Sequence, residues 1–172
     1  MTSTSRNDGR PRPRVLVVGD VIDDIVVRPS AHVTFDSDTT SAIVRSAGGS
    51  AANQAAWLGH LGVPVRFVGR VGAADVVRHR AQLESLGVEA LLVGDGTLAT
   101  GTIVVLLGED GERTMFTDRG ANAALTRADI PADALDGVDL LHVNGYALFE
   151  RGGREAMLGL IEDSRRRGIP FT

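Results

Sequence analysis

Apolar positions along this chain come in blocks of differing rhythm, and the blocks define its elements. Val15-Leu16-Val17-Val18 is an unbroken apolar run ended by Gly19-Asp20, as expected of a strand buried on both faces of a parallel sheet. Ile22 to Val27 and Ile43 to Arg45 read as short further strands bracketing a polar stretch from Pro29 to Ser41. Ser50 reads as the N-cap of a helix over Ala51 to Leu61, which Gly62 and Pro64 stop. Val65 to Val68 is the next strand, Val76 to Leu86 a second helix closed by Gly87, and Val88 to Val93 a third core strand.

The rhythm then changes. Gly101 to Leu107, a turn at Glu109-Asp110-Gly111, and Glu112 to Thr117 have the spacing and turn residues of a hairpin. Leu140 to Val143 returns to a buried strand. Arg151 to Arg167 is a helix whose Met157, Leu160, Ile161 and Ser164 share one inward face. Gly168 stops it, and Ile169 to Thr172 begins another strand. Strands alternating with helices predict an α/β fold with a parallel sheet and helical crossovers. The early short strands and the later hairpin do not fit that sheet and predict a small second one standing off it. Ending a few residues into a core strand leaves an unpaired edge, so truncation is expected. The polar segment from Met1 to Arg14 reads as a disordered arm.

Composition narrows the chemistry. A chain of 172 residues, 43% hydrophobic, accommodates one domain with a substantial core. A net charge of −4 gives no attraction to phosphate backbones or anionic lipid, so nucleic acid and membrane are not expected partners. No apolar run approaches the ~18 residues of a membrane span, and a cytoplasmic protein is the expectation. With no Cys there is no disulfide, thiolate nucleophile or Cys-ligated zinc, and with no Lys there is no Walker A loop. The four His are scattered and predict no metal site.

The informative stretch is Gly48-Gly49-Ser50-Ala51-Ala52-Asn53-Gln54-Ala55, continuing to Gly62 and Gly72. Paired glycines before a helix allow close backbone approach and expose N–H donors. Asn53 adds an amide that both donates and accepts, a set suited to hydroxyl recognition. A helix capped after a glycine turn accounts for the same residues. A hydrolase elbow would need a second Gly, and a dinucleotide fold would need Gly-x-Gly-x-x-Gly after the first strand; neither is present.

In spacing, this run resembles the first signature of the ribokinase-like (PfkB) carbohydrate kinases, and the similarity extends over nearly the whole chain from Val15. Val17 to Asp24 resembles the family's first strand, ending in a sugar-contacting Asp. Thr100-Gly101-Thr102 with Gly111-Glu112-Arg113 resembles its lid hairpin, Gly120-Ala121-Asn122 the segment after it, and Leu141 to Tyr146 the strand lining the sugar pocket. The resemblance implies a ribokinase-like parallel sheet plus a small β lid, over about residues 22–45 and 98–118, truncated after about the first half. It implies a carbohydrate kinase that phosphorylates a sugar or nucleoside hydroxyl with ATP and Mg²⁺, and a homodimer through the lid. Asp24 would accept hydrogen bonds from substrate hydroxyls, Gly48 and Gly49 would offer backbone N–H groups, and Asn53 its side chain. Ile103 would cover the sugar, and Asn144 and Tyr146 would stand at the rim, each with a structural role equally open. Asp23 would point to the opposite face and be solvated.

Three departures qualify that picture. Ile22 stands where many members have a polar residue. Asp75 falls one position late after Gly72, and Arg78 occupies a region where the family has Gly. The family's second signature, a Gly-Ala-Gly-Asp run supplying the catalytic base and anion hole, is absent from these 172 residues. No catalytic residue is therefore assigned, ATP and Mg²⁺ are not expected to bind well, and the chain is expected to be inactive alone. The alternative is a non-catalytic sugar-binding or dimerisation module.

Overall fold

The computed structural model describes residues 12–34, 36–108 and 110–172. In chain order the elements are β1 (Val15–Val18), β2 (Ile22–Pro29), β3 (Ser41–Gly48), α1 (Ser50–His60), β4 (Val65–Gly72), α2 (Val76–Ser85), β5 (Val88–Asp95), β6 (Gly101–Leu107), β7 (Arg113–Asp118), β8 (Leu140–Val143) and α3 (Arg151–Arg166). Short 3₁₀ turns precede α2, join β7 to β8 and follow β8. Of the expected N-terminal arm, Met1 to Pro11 lie outside the described residues. Arg12 donates to the carbonyls of Leu61 and Gly62 at 3.0 and 2.6 Å, and the Arg14 N–H donates to the Asp139 carboxylate at 2.8 Å.

The main sheet has the order β5-β4-β1-β8, and every pairing in it is parallel. Its centre, β1, is apolar throughout because it is covered on both sides. Val15 and Val17 pack with Phe67, Leu83, Ala51 and Ala55 beneath α1 and α2. Leu16 and Val18 pack with Val68, Leu141, Met157 and Leu160 beneath α3. Burying each such aliphatic side chain stabilises by ~1.5–3 kcal/mol. The α3 face is the expected one, with Met157, Leu160 and Ser164 buried. The strand expected at Ile169–Thr172 begins beside β8, where Phe171 bridges Leu141 in parallel.

The second sheet, the lid, has the order β3-β2-β6-β7, with β2 parallel to β6 and both outer pairings antiparallel. The expected hairpin pairs Leu107 with Arg113 at its tip. Gly111 in its turn has φ 79°, and Glu109 lies outside the described residues. Strand β3 is much longer than its apolar core of Ile43 to Arg45 because lid strands are held by backbone pairing rather than by burial. Strands β4 and β5 likewise outrun their apolar runs. They pair as far as Gly72 with Asp95, since Arg70 satisfies its charge against Asp95 and Asp129 at 2.9 and 2.7 Å.

Candidate functional site

Lid and main sheet meet at the carboxyl end of β1, where the backbone is too crowded for side chains. A Cβ on Gly19 would lie 2.6 Å from Ala51 Cβ and 2.7 Å from Asn144 Cβ. From this point Asp20 reaches α1. Its carboxylate accepts the Ser50 and Ala51 N–H groups at 3.0 Å each, and its carbonyl accepts that of Ala52 at 3.2 Å. The helix therefore begins at Gly49 with no side-chain cap of its own, which corrects the expectation that Ser50 is the N-cap. A carboxylate from another segment meets the positive helix end better than a hydroxyl does. The N–H groups of Ser50, Ala51 and Ala52 at this helix entrance are thus partnered from within the chain.

The two glycines do different jobs. Gly49 adopts φ +97°, and a Cβ there would lie 2.6 Å from Asp20 O and 3.0 Å from Ile22 N. Its bareness serves the fold. Gly48 ends β3, and a Cβ on it would lie 2.1 Å from Asp24 Oδ2. Its bareness makes room for the Asp24 carboxylate. Ile103 pairs with Asp24 across β2 and β6 and so shares its face of the lid. Asp24 is half-buried. Its pKa is raised by burial first, then by the charges of Asp23 and Asp20.

Asn53 lies one helical turn beyond Gly49, about 6 Å along the axis. It is exposed and lines a groove of about 280 Å³ with Ala56, Trp57, His60 and Leu86; Asp24 is not among the lining residues. Asn144 is buried. Its Oδ1 accepts the Tyr146 N–H at 3.0 Å, and its own N–H donates to Val18 O at 3.1 Å. Tyr146 is exposed, with the Arg119 guanidinium 4.4 Å over its ring.

Asp23 points away from Asp24, as alternation along a strand requires, but it is not simply solvated. Because α2 runs along that side, Arg78 donates to both Asp23 carboxylate oxygens at 2.9 and 2.7 Å. Arg78 also reaches Asp75 at 2.9 Å. The Asp75 pKa is lowered by its hydrogen bond from Thr100 and then by Arg78. The buried His79 places Nε2 3.4 Å from Asp23 Oδ1, outside hydrogen-bonding geometry. Burial first, then Arg78, hold the His79 pKa below its usual value.

A model of the pfkB family carbohydrate kinases matches residues 12–171. The chain belongs to this family. It is 32% identical over 164 residues to the ATP-dependent ribose-1-phosphate kinase of Halopiger xanaduensis, covering 90% of this chain and 55% of that one. The crystal structure of a probable sugar kinase from Rhizobium etli superposes with TM-score 0.79 at 25% identity, over 94% of this chain and 56% of that one. Xylella fastidiosa fructokinase with bound ATP gives TM-score 0.77 at 21% identity, over 90% and 49%. The chain spans about half the length of the relatives it matches.

A solved relative, the Xylella fastidiosa fructokinase, carries bound ATP. The glycine-flanked start of α1 is filled by the Asp20 carboxylate. Among the described residues, no group of three or more His, Asp or Glu side chains could hold a metal ion. No helix among them is long and apolar enough to cross a membrane.

Two features of the joint escaped the sequence reading. Besides the Asp20 cap, Asn122 clamps the backbone of Val21, its Oδ1 accepting the N–H and its Nδ2 donating to the C=O, both at 2.8 Å. The signal for the cap was a helix start of Gly-Gly together with an Asp just past the end of β1. The clamp carried no signal beyond Asn in a Gly-Ala-Asn turn.

Proposed function

We propose that this chain is the polyol-recognising, lid-bearing part of an ATP-dependent sugar kinase. The observation that carries the reading is Asp24: a half-buried carboxylate over the bare Cα of Gly48, flanked by Ile103. No hydrogen bond to its side chain occurs among the described residues. A carboxylate so placed has lone pairs to offer to neutral hydroxyl donors, and Ile103 on the same lid face helps to exclude water. Asn144 steadies the end of β8 through its contacts to Tyr146 and Val18, while Asn53 lines a groove that does not include Asp24. Phosphoryl transfer needs donors fixed around the transferred group and a base at the acceptor hydroxyl. The 172 residues supply recognition without that apparatus.

The test is a thermal-shift and calorimetric panel of pentoses, hexoses, nucleosides, fructose and ribose 1-phosphate. It is run on the wild type, Asp24→Asn and Asn53→Ala, with ATP-dependent phosphorylation assayed in parallel. Binding by the wild type that Asp24→Asn weakens tenfold or more supports the reading; equal affinities in both dismiss it. Phosphate transfer by the 172-residue chain dismisses the division of labour.

One observation favours a second role, as a dimerisation module. Ile43 and Val44, on opposite faces of β3, are both mostly exposed, as are Met115 and Phe116 on β7. The lid thus carries apolar surface on the face away from Asp24 as well as on the face toward it. A second lid is the partner that surface suits. Sedimentation that reads a monomer at all concentrations removes this role, whereas a dimer lost in Ile43→Glu supports it.

A further inference from the structure

Both lid strands that rise from the core are tied at their bases to one spot beside α2. Arg78 holds Asp23 at the start of β2 with two hydrogen bonds of 2.9 and 2.7 Å, and Asp75 with a third of 2.9 Å. The other Asp75 oxygen accepts the Thr100 hydroxyl at 2.6 Å, just before β6. The Thr100 oxygen in turn accepts the Gly72 N–H at 3.0 Å, at the end of β4. The buried His79 of α2 also lies against Asp23, its Nε2 3.4 Å from Oδ1. A cavity of about 510 Å³ opens there, lined in part by Asp23, Ile25, Arg45, Arg78, Gln82 and Thr102. Polar contacts at the bases of β2 and β6 therefore tie the lid to α2 beside this cavity.

We propose that Arg78 is a positioning residue that latches the base of β2 to α2 and so sets the angle at which the lid presents Asp24. Asp23 and Asp24 are neighbours facing opposite sides of one strand, so a constraint on the first orients the second. Arg78 stands where the resemblance leads one to expect Gly, which has no side chain to reach Asp23. A guanidinium makes the two-pronged contact that fixes direction as well as distance. The statement about Asp24 rests on the sugar-binding reading; the latch does not.

Amide hydrogen exchange on the free chain separates the two. In Arg78→Gln, exchange in β2 and β6 is expected to rise at least tenfold, with β1 and β4 unchanged. The charge exchange Asp23→Arg with Arg78→Asp is expected to return it toward wild type, and Arg78→Lys to fall between. Polyol affinity is expected to fall about fivefold in Arg78→Gln and to recover partly in Arg78→Lys. Lid exchange unchanged in Arg78→Gln overturns the latch. A rise spread equally through β1 and β4 also overturns it, because it reveals general loosening. If lid exchange rises as expected but no polyol binds even the wild type, the latch stands and the sugar-binding reading falls.

Discussion

Replacing Gly48 and Gly49 in turn by Ala should separate function from fold at two adjacent positions. At Gly48 the new methyl meets the end of a rotatable side chain, Asp24 Oδ2 at 2.1 Å and Cγ at 2.6 Å. Its backbone is in a strand and not at positive φ. The carboxylate swings aside, and the fold loses little. Reduced freedom of the unfolded chain offsets part of that loss by ~0.4–1 kcal/mol. What goes is the orientation of Asp24. Losing a hydrogen bond to a charged group costs about 1.5–3 kcal/mol, roughly a ten- to hundredfold loss in polyol affinity. At Gly49 the methyl meets backbone, Asp20 O at 2.6 Å and Ile22 N at 3.0 Å, with φ at +97°. Holding a residue with a Cβ at this positive φ alone costs on the order of 1–3 kcal/mol. Relief of the clash must move Asp20, which caps α1, so the total should reach about 3 kcal/mol. For a domain of this size that lowers the melting temperature by roughly 6–12 °C. Thermal melts and sugar titrations of both variants read the two effects. Equal melting losses, or wild-type affinity in Gly48→Ala, would refute this assignment.

Asp20→Ala strips the Ser50 and Ala51 N–H groups of their acceptor and should cost about 2 kcal/mol, read as a lower denaturant midpoint; an unchanged midpoint denies the cap its role. Asn122→Ala leaves the Val21 N–H and C=O unpaired and should cost about 2–3 kcal/mol, with Asn122→Asp, which keeps only the acceptor, in between. Burial holds the pKa values of both His79 and His142 below the usual 6.5, so the unfolded chain binds more protons than the folded one. Stability is therefore full above pH 6.5 and declines as pH falls below it toward the depressed folded values. His79→Gln should flatten the fall in melting temperature between pH 6.5 and pH 5, leaving the share of His142; an undiminished slope contradicts this.

The main sheet was legible because its central strand, Val15–Val18, is buried on both faces and stands out by apolarity alone, with shorter apolar runs marking its neighbours. The lid was legible only in outline. Ser41, Ala42 and Ser46 to Gly48 show no apolar period, because backbone pairing to β2 holds them and not a core. The Gly-Gly pair before the helix was visible, but its two members look alike in a sequence. Only coordinates show that Gly48 makes room for Asp24 and Gly49 for the backbone of Asp20. Asp23 read as solvated because nothing local reveals that Arg78, 55 positions later, lies beneath it. Arg78 did stand out as a departure from the family pattern, and its role follows from where α2 places it.

The residue that caps α1 also belongs to the three-residue joint, Gly19-Asp20-Val21, from which the lid springs. A swing of the lid about this joint turns the peptide planes on either side of Asp20, and the three bonds that Asp20 makes to α1 must turn or stretch with it. The start of α1 is thus coupled mechanically to the lid, and Asn53, one turn further along, rides on the same helix. Closing the lid over a ligand would be felt along α1 before any side chain of α1 touched that ligand.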